Sequence, residues 1–490
     1  MTSLKQRVVK DTMLYTIANY AAMVIGMLVA IATKAILGTV GAGYWAVIKV
    51  FSSYGEYSDL GTRNAMIREI PRFMGAGKES EAQKMENSAY AFTILASFVS
   101  SAVIAAIAFY TKDPVLQKGL WICAFLVIAT QLYNFSLTLL RTFKKIGCLS
   151  FIIVLNMVTV GLFSVAGALW KGILGMAIGV CAATFVSALS AYFFGKMRFR
   201  VAWNSKEILR LIKIGFPMVI ISYALVTFLS LDTLMIGKMI GIQAVGLYTI
   251  GLMSVQQIGS LGRFSQIILL PHIQERYGRT GSLENTAHLM IRATRVLAHV
   301  VPFLIAAVIF FVPVLVHYFI PKFTGGLPSM KILVMGYYFV AVNELSANAA
   351  FTADKQRHLI PFLAGVIGIA AILNFTFIRL GYGIEGVAVA TSISYFLSFI
   401  LIFSFAFSHM ISWKKTGAVI GETVLLSIYF AVCVGLMDSW TSETLPLLIQ
   451  PFLRFFGFSI LFLPAFYRLE KEERLIPVLK NLLFKKAAVL

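Results

Sequence analysis

Lys49, Glu56, Asp59 and Arg63 follow one another at intervals of seven, three and four residues, with Ser52 and Ser53 among them. On a helix that spacing gathers four ionisable side chains on one face. The surrounding stretch, 43–61, is otherwise largely apolar, so the charges stand out. They can serve as an intrahelical ladder of ion pairs, with Asp59 and Arg63 at the helix edge, or as one charged wall of a water-filled cavity. Other isolated polar groups repeat the theme. Lys34 adjoins Thr33, which follows Asn19 and Gly26 at seven-residue steps. Gln256, Ser260 and Arg263 form a second stripe, and Glu344, Asn348 and Thr352 a third at i, i+4 and i+8. Asp232 lies six residues before Lys238, while Glu422 and Arg454 are expected to pair with each other. The chemistry such groups offer is binding: ammonium and guanidinium groups hold phosphate oxygens by charge-assisted hydrogen bonds.

Signals for reaction chemistry are missing. Cys123, Cys148, Cys181 and Cys433 lie in apolar blocks without CxxC spacing, which favours neither a metal site nor a disulfide framework. The six histidines form no HExxH-like cluster, so His272, His288 and His299 read as ordinary helix or loop residues. There is no GxxxxGK[ST] phosphate loop. No cofactor is implied.

The elements that must carry these residues follow from composition. Of 490 residues, 59% are hydrophobic and 13% charged, about half the charged share of a soluble domain. Apolar residues fall in blocks long enough to cross a bilayer as helices. Fourteen spans can be marked between residues 13 and 467, including the first at 13–37, the second at 43–61, the seventh at 214–236, the eighth at 244–270 and the tenth at 329–351. The first is longer than a signal-peptide core and reads as a retained span. Lys34, Lys49 and Arg263 then sit at membrane depth, where ionisable groups are costly and usually face a protein interior or an aqueous cavity. Lys34, near the outer end of its span, could also snorkel to the headgroups.

The net charge of +21 sorts by side. Alternate joints, with both termini, hold 31 of the 42 lysines and arginines, which places those joints and both termini in the cytoplasm. The excess thus reflects topology, and no nucleic-acid partner is indicated. Internal similarity adds a domain pattern. Leu60-Gly61 and Pro71 recur as Leu261-Gly262 and Pro271; Gly38 and Gly41 before Tyr44 match Gly237 and Gly241 before Tyr248; Lys171-Gly172-Ile173-x-Gly175-x-Ala177 matches Tyr382-Gly383-Ile384-x-Gly386-x-Ala388. The reading is an all-α polytopic membrane protein of about 14 transmembrane helices. It has two pseudo-symmetric six-helix lobes, 1–195 and 214–408, a basic linker at 196–213, and two further helices with a basic tail at 409–490. Gly215-Phe216-Pro217 at the start of the seventh span and Pro302 in the ninth permit bends.

Several segments carry a family resemblance: Asp59-Leu60-Gly61 with Arg68-Glu69-Ile70-Pro71; Gly215-Phe216-Pro217; Asp232 and Ile236-Gly237 ahead of Ala244-Val245-Gly246-Leu247-Tyr248; and Asn374 followed by Tyr382-Gly383-Ile384-Glu385-Gly386-Val387-Ala388. The chain resembles the Wzx-type oligosaccharide-lipid flippases of the MOP superfamily, which also holds MATE antiporters and the lipid II flippase. The likeness runs over most of residues 8–408. It implies alternating access between two six-helix lobes, moving a polyprenyl-diphosphate-linked glycan from the inner to the outer leaflet of the cell (plasma or inner) membrane. The protein would act as a monomer alongside a polysaccharide polymerase or glycosyltransferases. The family's basic cavity residues on spans one, two and eight match Lys34, Lys49 and Arg263 in kind. Glu56, Asp59, Arg63, Asp232 and Glu344 complete the set of candidate substrate contacts.

Three alternatives remain. A MATE-like cation or drug antiporter shares the fold but commonly needs a carboxylate in its first span, which here has only Asp11 at the edge. A membrane polymerase or glycosyltransferase would carry catalytic groups on a sizeable outer loop, and the outer joints are short. A purely structural membrane protein would leave the buried charges unexplained.

Overall fold

The protein is described from a computed structural model covering residues 4–197, 200–260, 282–344, 346, 349, 358–440 and 446–473, with side chains from Met13 to Lys471. Regular structure among these residues is helical, with no strand. Among the described residues, eleven helices are long and apolar enough to cross a membrane. Contacts divide the chain into two compact units, Met1–Thr249 and Ile250–Leu490.

The first unit holds α1 (Leu4–Gly55), α2 (Thr62–Gly75), α3 (Glu79–Tyr110), α4 (Pro114–Thr142), α5 (Ile146–Phe194) and α6 (Ser205–Met239). The unit boundary falls within α7, residues 242–260. A straight helix of the 52 residues of α1 would measure about 78 Å, more than twice the ~30 Å hydrocarbon core. It holds two spans, broken at Gly38 (φ 67°, ψ −171°). The 49 residues of α5 are likewise broken at Lys171 and Gly172, where φ is −135° and 57°. A Cβ built on Gly167 would lie 2.2 Å from the Gly175 carbonyl oxygen, one on Gly175 2.0 Å from that of Gly167, and one on Gly179 2.1 Å from that of Phe163. Positions on either side of the break therefore face each other, and α5 is an antiparallel helical hairpin whose backbones touch where side chains are absent. With α1 and α5 each counted twice, the eleven helices carry all but one of the fourteen expected spans; the eighth begins in α7.

Helix ends are fixed by local chemistry. Asp113 caps α4, its carboxylate accepting from the backbone N–H of Val115 and Leu116 at 2.9 and 2.8 Å, with Pro114 in the first turn. Burial raises the Asp113 carboxyl pKa, but hydrogen bonds from Leu116, the Tyr44 hydroxyl and Val115 outweigh it and hold it below the ordinary carboxylate value. Asn204 caps α6 in the same way. The apolar core of this unit is built of clusters that each join several elements: Met66 and Ile70 of α2 meet Met85 of α3, Phe135 of α4 and Leu211 of α6, and Ile48 of α1 meets Ile104 of α3 and Val127 of α4. Leucines, valines and phenylalanines on the outward faces of α3 and α5 stay exposed, an arrangement suited to lipid and costly in water.

The second unit holds α8 (Leu283–Phe319), a 3₁₀ turn (Pro321–Gly326), α9 (Leu327–Asn343), α10 (Leu359–Arg379), α11 (Gly383–Ser408), α12 (Trp413–Ser439) and α13 (Gln450–Glu473). Aromatic contacts dominate its packing. The Phe303 ring sits 5.5 Å from both Phe458 and Phe462, and Phe399, Phe403 and Phe407 stack along α11 at 5.3 and 4.4 Å. Gly383, which opens α11, has φ 58°, within a degree of Gly172. The two copies of the Gly-Ile-x-Gly motif thus share a left-handed turn that favours glycine.

Candidate functional site

The four charges expected on one helix face do not share a helix: α1 ends at Gly55, so Lys49 lies in α1, Glu56 and Asp59 in the turn 56–61, and Arg63 in α2. Lys49 is exposed, whereas its neighbours Val47, Ile48 and Val50 are buried. Among the described residues its ammonium has no hydrogen-bond or ion-pair partner. One and two turns on, Ser53 returns its hydroxyl to the Lys49 carbonyl at 2.9 Å, and half-buried Glu56 accepts from Asn134 Nδ2 at 3.1 Å. Asp59 and Arg63 form a separate clasp. Arg63 donates to Asp59 Oδ2 through Nε and through its backbone N–H, both at 3.0 Å, and through Nη2 to Oδ1 at 3.3 Å. Its Nη2 also reaches the Glu56 carbonyl, satisfying an acceptor left open where α1 ends. With side chains 12% and 3% exposed, this pair is a buried fastening of the turn between α1 and α2.

That turn is tight. Leu60 and Gly61 both take left-handed backbone angles, φ 49° and 82°. Gly61 meets Gly215 of α6: a Cβ on Gly61 would stand 2.5 Å from the Gly215 carbonyl. Nearby, the Tyr54 hydroxyl donates to Thr227 Oγ1 at 3.0 Å, and the Tyr223 ring lies against Tyr54 and Tyr57 at 6.2 and 5.9 Å. Gln131, fully buried in α4, donates to the Gly55 carbonyl at 2.9 Å and to Ser58 Oγ at 2.6 Å. The C-terminal end of α1 and the turn after it are therefore pinned on two sides by groups that were not singled out above. Gln131, Asn134 and Thr138 of α4 do recur at helical spacing, a polar stripe visible in the sequence.

Lys34 is turned inward. Its Nζ donates to Thr249 Oγ1 at 2.6 Å, and Thr249 passes a hydrogen bond to the Gly246 carbonyl at 2.6 Å. Two close helix contacts flank this pair: a Cβ on Gly43 would fall 2.0 Å from the Ile242 carbonyl oxygen, and one on Gly246 1.8 Å from that of Thr39. Asp232 of α6 is 2% exposed. Its Oδ1 accepts from the backbone N–H and hydroxyl of Thr233 at 2.6 and 3.3 Å, with Tyr248 beside it. The first unit thus contains five of the candidates besides Lys49, and the structure brings Glu56, Asp59 and Arg63 together while Lys34 and Asp232 have polar neighbours of their own.

In the second unit Glu344 is half-buried at the end of α9. Arg263, Asn348 and Thr352, like His272, lie outside the described residues. Gln256 and Ser260 differ in environment, Gln256 being exposed and Ser260 buried. The expected Glu422–Arg454 pair does not form. Glu422 instead binds Arg295 of α8 at 3.0 Å, and Arg454 lies 3.8 Å from Asp438, which also holds Lys331 at 2.5 Å. Helix packing sets these partners: α12 contacts α8 as well as α13, and Asp438 at the end of α12 lies closer to Arg454 than Glu422 does. The described residues contain no group of three or more His, Cys, Asp or Glu able to hold a metal, and the four cysteines carry free thiols.

A family model described as polysaccharide biosynthesis protein matches residues 76–320, half of the chain. The chain belongs to this family. Its fold is similar to those of solved transporters described as members of the MOP superfamily. It is similar to lipid II flippase MurJ in an inward closed conformation, with a TM-score of 0.66 and 15% identity over 93% of this chain and 99% of that one. An inward-facing multidrug resistance MATE family transporter is similar with a TM-score of 0.57 and 18% identity, covering 82% and 95% of the two chains. A MOP superfamily transporter from Pyrococcus furiosus, described by the reverse polarity of its binding pocket, is similar with a TM-score of 0.56 and 14% identity over 83% and 96%. No curated protein matches the sequence. The polysaccharide biosynthesis family and the MOP fold together make the chain a multi-pass membrane protein.

Proposed function

We propose that this member of the polysaccharide biosynthesis family flips a polyprenyl-diphosphate-linked oligosaccharide from the inner to the outer leaflet of the plasma (inner) membrane by alternating access. Lobes 1–195 and 214–408 would rock about the basic linker 196–213, the helices of 409–490 would lie outside the repeat, and both termini would face the cytoplasm. Glycosyltransferases would supply the lipid-linked glycan and a polymerase would consume it. The protein moves its substrate and performs no chemistry on it.

The observation that carries this reading is Lys49: an exposed ammonium at membrane depth, seven residues before Glu56 and without a partner among the described residues. An unpaired cation there loses most of its hydration, and a diphosphate restores the missing interactions. Lys34 and Arg263 would add positive charge, with Asp232 and Glu344 as further polar contacts. In this reading Asp59 and Arg63 hold the cytoplasmic end of the site in shape. The test is transport in proteoliposomes with a fluorescent lipid-linked oligosaccharide. Lys49→Ala should lower the flipping rate at least tenfold at unchanged protein incorporation, and Lys49→Arg should restore much of it. Unchanged flipping by Lys49→Ala sinks the proposal.

The likeness to MATE transporters supports a second reading, antiport of an organic cation. Exposed Lys49 repels such a substrate, and Glu56, the next carboxylate along, is engaged by Asn134, which favours the lipid-linked anion.

A further inference from the structure

The segment Arg68-Glu69-Ile70-Pro71 has no part in the proposed substrate contacts, yet it lies against α6. That helix runs from Ser205 to Met239 without a break. The second half of the expected linker 196–213 is therefore a helical extension of the seventh span and moves with it. The extension packs on α2. Leu211 is fully buried in the cluster that holds Met66 and Ile70. One turn on, Gly215 touches Gly61 backbone to backbone, a contact with no side chains to disentangle.

Four charges cover this seam. Arg210 Nη2 donates to Oε2 of buried Glu69 at 3.2 Å, and the guanidinium stands 5.2 Å from the centre of the Phe73 ring. Each member of that pair also has a partner on its own helix. Glu69 Oε1 lies 3.7 Å from Arg68 Nε, and Arg210 Nη1 lies 3.8 Å from Glu207 Oε2, one turn before it. Both local distances exceed the bond between the helices. Parting a buried ion pair usually strands a charge, which is what makes it costly. Here parting α6 from α2 strands neither: Glu69 closes on Arg68, Arg210 closes on Glu207, and water enters the seam. The Asp59–Arg63 clasp differs, because its members are four residues apart and stay together whichever way α6 moves.

We infer that Arg68, Glu69, Glu207 and Arg210 form an exchangeable latch. It holds α6 against α2 at the cytoplasmic end of the first unit, and it opens by trading one pair between helices for two pairs within them. The inference rests on the proposed rocking about 196–213, and its test reads the latch apart from transport.

The experiment uses the full chain in proteoliposomes. Leu211→Cys places a thiol inside the seam. Its alkylation by N-ethylmaleimide is read at that residue by peptide mass spectrometry, so the four native thiols do not interfere. Arg210→Gln removes the pair between the helices and should raise the alkylation rate about threefold or more. Arg68→Gln combined with Glu207→Gln keeps that pair and removes both local partners. It should lower the rate about threefold or more. Ile70→Cys reads the α2 side of the seam if Leu211→Cys does not fold. Charges that only stabilise packing would raise the rate in both variants; that result, or no change in either, overturns the inference. Flipping of the fluorescent lipid-linked oligosaccharide is followed in the same vesicles. Opposite shifts in alkylation without flipping by the unaltered protein sink the transport reading and leave the latch standing. Flipping with unshifted alkylation sinks the latch alone.

Discussion

Gly61 and Gly215 meet backbone to backbone: a Cβ on Gly61 would lie 2.5 Å from the Gly215 carbonyl, and one on Gly215 would lie 2.1 Å from the Gly61 carbonyl oxygen. Neither approach leaves room for a methyl group, and Gly61 also holds φ 82°. The two residues join the turn after α1 to the start of the membrane-spanning part of α6. Gly61→Ala and Gly215→Ala should each destabilise the protein by about 1–3 kcal/mol through overpacking, seen as a lower melting temperature in detergent. Gly147→Ala is the control: no atom lies within 4 Å of its Cβ position, and it should melt as the unaltered protein does.

Asp59 and Arg63 should behave as a unit. Removing one partner of a buried pair strands the other charge and costs about 3–5 kcal/mol. Arg63→Gln and Asp59→Asn should each lower stability sharply, whereas the double variant should lose clearly less than the two losses added. A double-mutant cycle on thermal or denaturant unfolding measures this. Strict additivity would show that the pair does not fasten the turn.

Lys34 should matter through Thr249. Thr249→Val removes the acceptor of the lysine hydrogen bond and keeps the shape of the side chain. It should destabilise the protein by about 1–3 kcal/mol, because it leaves the ammonium short of a partner. Lys34→Met should lose less, and the double variant should show coupling between the two sites.

The Asp113 cap makes a pH-dependent contribution. Its folded pKa is depressed, so its stabilisation is present in full above the unfolded value of about 3.9 and fades as pH falls through the lower folded value. At pH 7, Asp113→Ala should cost about 1 kcal/mol. Below about pH 4 the gap between the two proteins should close. Melting temperatures recorded at both pH values decide it, and a gap independent of pH would assign the cap to geometry without charge.

The sequence was most informative where the signal is local. Apolar block length located the spans, and the glycines at 38, 172 and 383 fell at the helix breaks because a left-handed turn needs that residue at one position. The shared helix face expected of Lys49, Glu56, Asp59 and Arg63 did not form, because α1 ends at Gly55 and the left-handed Leu60 and Gly61 start a new helix before Arg63. What the spacing could not give was the opposite wall. Lys34 was open to snorkelling or a cavity, yet it turns to Thr249, some 215 residues away. Glu422 was assigned to Arg454 because both were isolated charges on consecutive spans, but α12 also packs on α8, and Arg295 takes it. Asn134, the partner of Glu56, and Gln131, one of the partners of Ser58, come from α4, whose polar stripe is plain once α4 is known to cover the end of α1. Periodicity names the face of a helix; only packing names what covers it.

The glycine-lined hairpin of α5 bears on how the chain enters the membrane. Its two arms close over a two-residue joint, so pairing them demands almost no loop entropy, and each arm brings the surface that the other needs. They can leave the translocation channel as a preassembled pair. α1 and α4 both pack on this hairpin, which makes it a template on which earlier spans settle during synthesis. A bulky residue at Gly167 or Gly175 should therefore show first as poor insertion and rapid degradation of the nascent protein, before any loss of activity could be measured.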